Sequence, residues 1–202
     1  MQTASKSRPR TKPAEQRRTD LMNAAQRLFL KHGVGPTTIE QITSGAAVAK
    51  GTFYLYFSSK EDILAALADR FAQELLAGIK AAVEEKSKED WSGKLAAWAT
   101  AAVHGYLDSI QLHDILFYGS RPHTRKGMVD NIVIDYLAEM LQAGVKAKAW
   151  RIGDPRFTAV FLFSGLHAAV DHAFVEESRV NRSRLVHNLK ELCFRAVGLP
   201  SG

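Results

Sequence analysis

Apolar residues fall three and four places apart over most of this chain, the repeat of an α-helix that buries one face. Leu21, Ala24, Ala25, Leu28 and Phe29 set the first such stripe, and Gly33, Gly35 and Pro36 punctuate its end near His32. A second start follows at once. Thr38 precedes Gln41 by three positions and stands just ahead of Ile39 and Ile42, the pattern of a capping box, before Gly45 interrupts the helix. A third short helix is expected over roughly residues 49–57, and Ser58, Ser59, Lys60, Glu61 and Asp62 read as the cap and acidic first turn of a fourth. Beyond Ser59 the pattern is helical nearly throughout, with breaks expected near residues 87–90, 119–124, 153–155 and 178–182. Asp154 is placed to cap a helix and Pro155 to take its first position. No segment alternates with period two, and no solenoid-length repeat recurs. The expectation is an all-α chain of about nine helices, with a disordered arm at residues 1–13, a three-helix N-terminal domain at 14–60 and a larger helical domain at 61–202.

Four aromatics, Phe53, Tyr54, Tyr56 and Phe57, fall within five residues, too many for one buried face. On a helix Ala49, Phe53 and Phe57 share a stripe that would pack on the first helix, while Gly51, Thr52 and Leu55 point away with Tyr54 on the flank. Tyr54 and Tyr56 then sit at the rim, where their hydroxyls can reach phosphate oxygens. For Tyr56, core packing is the competing reading. Three short helices with the last two tightly joined outline a helix-turn-helix, whose second member enters the major groove of DNA.

Charge supports that reading. Residues 1–60 carry 10 Lys/Arg and 3 Asp/Glu, net +7, in a chain of net +6, so the remainder is close to neutral. Such asymmetry points the N-terminal part at a polyanion, nucleic acid or an acidic membrane surface. No acidic residue lies between Gln41 and Lys60. The arm holds Lys6, Arg8, Arg10 and Lys12 with no acid, and Arg8 and Arg10 are candidates for an adjacent minor groove. The single cysteine, Cys193, stands among Leu189, Leu192 and Phe194, as a small buried hydrophobe in a reducing, cytoplasmic compartment would. The N-terminus lacks the apolar run of a secretory signal, and the most apolar stretch, residues 159–170, is too short to span a bilayer, so no membrane partner is expected.

The run TTIEQITSGAAVAKGTFYLYFSSKEDIL, preceded by LMNAAQRLFLKHG, resembles the DNA-binding domain of the TetR family of bacterial transcriptional regulators over about residues 15–65. The resemblance implies that Lys50, Gly51 and Thr52 face base edges or the nearest phosphates, with Gly51 letting the backbone approach the groove. It also implies phosphate contacts from Tyr54, Tyr56, Lys60 and the capping Thr38; for Lys60 the alternative is an ordinary surface lysine. The family's turn carries glycine just before the valine matching Val48 and serine just after it; here these are Ala47 and Ala49. Alanine in a left-handed turn costs about 1 kcal/mol, and the missing cap roughly 0.5–2 kcal/mol. Glu40 is a further oddity, since it can accept from cytosine N4 or repel phosphate.

In the larger domain Trp91, Leu95, Trp98, Ala102 and Tyr106 form a helical stripe, a core face first and a ligand wall second. The resemblance implies a small-molecule pocket among the middle helices, and the candidate wall is Trp98, Tyr106, Phe117, Tyr118, Tyr136 and Met140, with His104 and His113 as polar handles. That composition suggests an apolar or aromatic effector. Phe161, Gly165, Ala168, Ala169 and His172 on one helix, with Leu185, Leu189 and Leu192 on the last, are expected to build a four-helix homodimer interface. The function expected is a sequence-specific regulator, a repressor released from a palindromic operator by its effector; an activator uses the same residues. The alternative is a dimeric small-molecule-binding protein with a degenerate DNA-binding domain, supported by Ala47 and Ala49. No catalytic set, cofactor or metal is expected: His167 with Asp171 and His104 with Asp108 are each one turn apart but lack an activated nucleophile, a phosphate loop or metal-ligand spacing.

Overall fold

The computed structural model of the chain describes residues 13–118 and 131–199. Among these, nine helices and no strand follow in order: α1 (Ala14–His32), α2 (Ile39–Gly45), α3 (Lys50–Phe53), α4 (Lys60–Glu84), α5 (Trp91–Asp108), α6 (Ile110–Phe117), α7 (Ile132–Lys146), α8 (Pro155–Glu176) and α9 (Arg182–Ala196). The chain divides into two compact units, Met1–Leu67 and Ala68–Gly202, so the division falls inside α4 rather than at residue 60. Apart from Pro13, the basic arm lies outside the described residues.

In the first unit α1 buries Leu21, Met22, Ala24, Ala25 and Phe29 and packs on α2, which in turn packs on α3. Gly33 ends α1 at φ 80°, in the left-handed region that glycine enters without strain. The capping box at α2 is complete: the Gln41 amide donates to the Thr38 hydroxyl (3.2 Å), and the Thr38 amide donates to the Gln41 side chain (2.8 Å). The third helix is shorter than its sequence pattern suggests, because Ala49 offers no side chain to cap it and the chain turns after Phe53. The Phe57 amide still donates to the Phe53 carbonyl (2.9 Å), which brings both rings into the core.

The second unit is built around α5, which buries Leu95, Trp98, Ala99, Ala102, Val103, Tyr106 and Leu107. It packs against α9 and α8, and α7 packs against α8. Ser109 (φ −123°, ψ 20°) separates α5 from α6, a break that the apolar periodicity does not reveal. Helix α7 stops at Lys146, earlier than the Gly-Asp-Pro signal suggests, because Lys148 takes a left-handed φ of 60°. Trp150 then folds back and its indole N–H donates to Leu141 O (2.8 Å). Its ring lies where a Cβ on Gly144 would be, so only glycine admits it.

Helix α8 begins as its sequence directs, with Asp154 accepting from the Phe157 amide (2.9 Å) and Pro155 in the first position. By length and composition Pro155–Glu176 is apolar enough to cross a membrane, more than residues 159–170 alone suggest. It buries Ala159, Leu162, Leu166, Val170 and Ala173 within its own unit. Cys193 is buried as expected, and burial pushes its thiol up to about 12.

Candidate nucleic-acid interface and effector site

The side chains of α3 divide cleanly between core and solvent. Phe53 and Phe57 are 0% and 2% exposed, while Lys50, Gly51, Tyr54 and Leu55 face solvent and Thr52 is half-buried. Tyr54 rests edge-on against Phe53 (5.5 Å between ring centroids) and is exposed; Tyr56 is half-buried. A Cβ built on Gly51 meets nothing within 4 Å, so no packing within the protein requires glycine there. Glycine inside a helix costs roughly 0.5–1 kcal/mol relative to alanine, so its compensation has to come from outside the fold.

The turn ahead of α3 carries the strain foreseen in it. Ala47 sits at φ 55°, and Ala49 precedes α3 with no side-chain cap bond. Lys50 is paired with Glu40 of α2, and both side chains are more than half exposed (58% and 59%). The bond to Lys50 holds the Glu40 carboxyl below its ordinary range and raises Lys50 in return. Glu40 thus engages Lys50 of its own chain.

Lys60 requires a correction. Its ammonium donates to the carbonyls of Val34 (2.9 Å), Gly35 (2.9 Å) and Thr37 (2.8 Å). An ammonium has three N–H donors, and all are engaged in closing the α1–α2 turn, which leaves none for a phosphate. Thr37, passed over in the sequence, is 1% exposed and secures the same turn by donating to Gly33 O (2.7 Å).

In the second unit the predicted ligand wall splits. Tyr106, His113, Phe117 and Tyr118 come together: His113 lies 4.1 Å from Tyr106, 4.8 Å from Phe117 and 5.6 Å from Tyr118, centroid to centroid. His167 stacks at 4.8 Å from Tyr106 and 4.2 Å from Phe163, and Phe71 packs 6.0 Å from Phe117. The remaining candidates do not join this group. His104 faces solvent, Tyr136 lies half-buried under the Lys80 ammonium (5.4 Å), and Trp98 and Met140 belong to the hydrophobic core. Trp98 Nε1 is buried with no acceptor among the described residues. The resemblance suggested these positions for a wall, but their burial or exposure needs none of them to face a ligand.

Sequence reasoning missed the centre of the group. Asp171 accepts the Tyr106 hydroxyl on one oxygen (2.5 Å) and the Tyr118 hydroxyl on the other (2.8 Å). Burial and Asp171 together push both phenols above their ordinary range, and burial holds His167 below its own. Asp114 is raised by burial and by the Asp171 charge. The signal available was the His167–Asp171 helical pair, whose distant tyrosine partners no spacing rule connects. A separate surface depression of about 460 Å³, lined by Trp150, Arg151 and Ile152 among others, lies at the α7–α8 loop and contains none of these groups.

The dimer candidates also divide. Phe161 (63% exposed), Gly165, Ala168, His172 and Leu192 (57%) are uncovered, and Phe157 (69%) extends their stripe. Leu189 is 5% exposed and lies in the core of its own chain, with Ala169 and Leu185 packed against that core, so these three are corrected from interface to interior or its margin. Among the described residues no His, Cys, Asp and Glu cluster fits a metal ion.

Comparison with known proteins agrees with this architecture. Residues 21–67 match the family of bacterial regulatory proteins, tetR family. The HTH-type transcriptional activator FasR of Mycolicibacterium smegmatis is 29% identical over 157 residues, which cover 77% of this chain and 64% of FasR. A bacterial regulatory protein of the tetR family from Rhodococcus RHA1 shares the fold at a TM-score of 0.67 and 20% identity, over 91% of this chain and 98% of that one. RolR in complex with resorcinol does so at 0.65 and 22%, over 93% and 90%. The helix-turn-helix at α2–α3 lies within the matched residues 21–67, which resemble the tetR-family segment, and the all-helical fold of the chain is shared with solved regulators of that family.

Proposed function

We propose that the protein is a homodimeric, effector-responsive transcriptional regulator, a repressor that leaves a palindromic operator when a small molecule with an apolar or aromatic body binds its second unit. The exposed face of α3 carries the reading: Lys50, Gly51, Thr52 and Tyr54 are placed by a buried Phe53–Phe57 pair and have little packing role of their own. Lys50 and Thr52 then meet base edges, Gly51 allows close approach, and Tyr54, Tyr56 and the hydroxyl of Thr38 hold phosphates. Two such helices must sit about 34 Å apart on successive major-groove faces, and the uncovered stripe of α8 with Leu192 is the surface that would pair two copies. RolR, similar in fold, binds the small aromatic resorcinol, in keeping with an effector of that size. The protein acts without catalysis, cofactor or membrane, in the cytoplasm.

Ala47 and Ala49 support one other reading, a dimeric small-molecule binder whose DNA-binding domain is degenerate. Titration onto the DNA flanking its own gene, against a shuffled duplex at two salt concentrations, separates the two. A specific regulator prefers its site by about 10³ or more and shows a steep salt dependence. Equal, weak binding to both duplexes that the Ala47→Gly, Ala49→Ser double variant converts to specific binding identifies the degenerate domain.

A further inference from the structure

Among the described residues Asp171 has its hydrogen bonds but no countercharge. Both oxygens accept tyrosine hydroxyls, so a further neutral donor adds little to them. Among the described residues no Lys or Arg pairs with Asp171 or with Asp114. Asp114 Oδ1 lies 3.8 Å from His113 Nδ1, beyond hydrogen-bonding distance. Around these carboxylates stand the rings of Tyr106, His113, Phe117 and Tyr118. A phenol that donates to a carboxylate has a more electron-rich ring, and an electron-rich face attracts a cation. The group opens to solvent at Tyr118, which is 56% exposed, and Asp171 is half-buried.

We propose that this aromatic group around Asp171 binds an organic cation, a quaternary or protonated amine with an apolar body, as the effector of the second unit. The cation supplies a positive charge to Asp171 and Asp114, and the rings accept its apolar body. This rests on the effector-binding reading of the second unit, and the test is therefore made without DNA.

The full chain is titrated calorimetrically with benzyltrimethylammonium, with its neutral carbon isostere neopentylbenzene, and with phenol. The cation is expected to bind at least about tenfold tighter than either neutral probe, with Asp171→Asn removing that preference and Asp114→Asn weakening it less. Should Asp171→Asn lose helicity, the Asp114→Asn variant carries the comparison. Equal affinity for the isostere or for phenol, a cation preference that survives both substitutions, or no saturable cation binding up to millimolar concentration each overturns the proposal. Cation binding in a protein with no operator preference would instead reject the regulator and leave this site standing.

Discussion

Ala47 holds a backbone conformation that opposes any side chain bearing a Cβ, and glycine would hold the same φ of 55° without that opposition. Ala47→Gly is expected to stabilise the chain by about 1 kcal/mol, seen as a higher urea midpoint at unchanged slope. A lower midpoint would show that the extra freedom of glycine in the unfolded chain outweighs the relieved strain. Lys60 offers the opposite experiment. Lys60→Met removes three charge-assisted bonds to the α1–α2 turn and should destabilise by about 2 kcal/mol, with the salt dependence of DNA binding unchanged. A fall of about 0.9 in that slope would return Lys60 to the phosphate backbone. The sequence could not separate these roles, because a lysine ahead of a helix looks the same whether it meets carbonyls or phosphates.

At the scale of the element, the helices that carry their own start signals were legible. Thr38 with Gln41, and Asp154 with Pro155, set α2 and α8 where the pattern placed them. Boundaries decided by backbone or tertiary contact were not. Ser109 breaks α5 from α6 without proline or glycine, and Lys148 turns the chain in a left-handed conformation while Trp150 seals the end of α7. Helix α8 buries one stripe and leaves Phe157, Phe161, Gly165, Ala168 and His172 uncovered, the face proposed above to pair two copies. Phe161→Glu should therefore yield a monomer in sedimentation at unchanged helicity, since a buried charge on each side of a twofold contact faces its own copy. A dimer that survives the substitution moves the interface elsewhere.

Across the whole molecule, the all-helical fold class was readable from one sequence because it rests on local spacing. Of the aromatic group in the second unit, Tyr106, His113, Phe117 and Tyr118 were singled out in the sequence by type, whereas Asp171 joins them only through bonds spanning 65 and 53 positions. The Glu40–Lys50 pair, which joins neighbouring helices, bears on the energetics of operator choice. A lysine that meets DNA ordinarily displaces mobile ions, and the entropy of their release favours any sequence equally. Lys50 arrives with a counterion tethered to its own backbone. When it moves to a phosphate or a base, Glu40 must recruit a cation from solution, so the exchange frees no net ion and the gain depends on what Lys50 and Glu40 each find in the groove. An internal ion pair of this kind mutes the indiscriminate part of the attraction at the position proposed to read sequence.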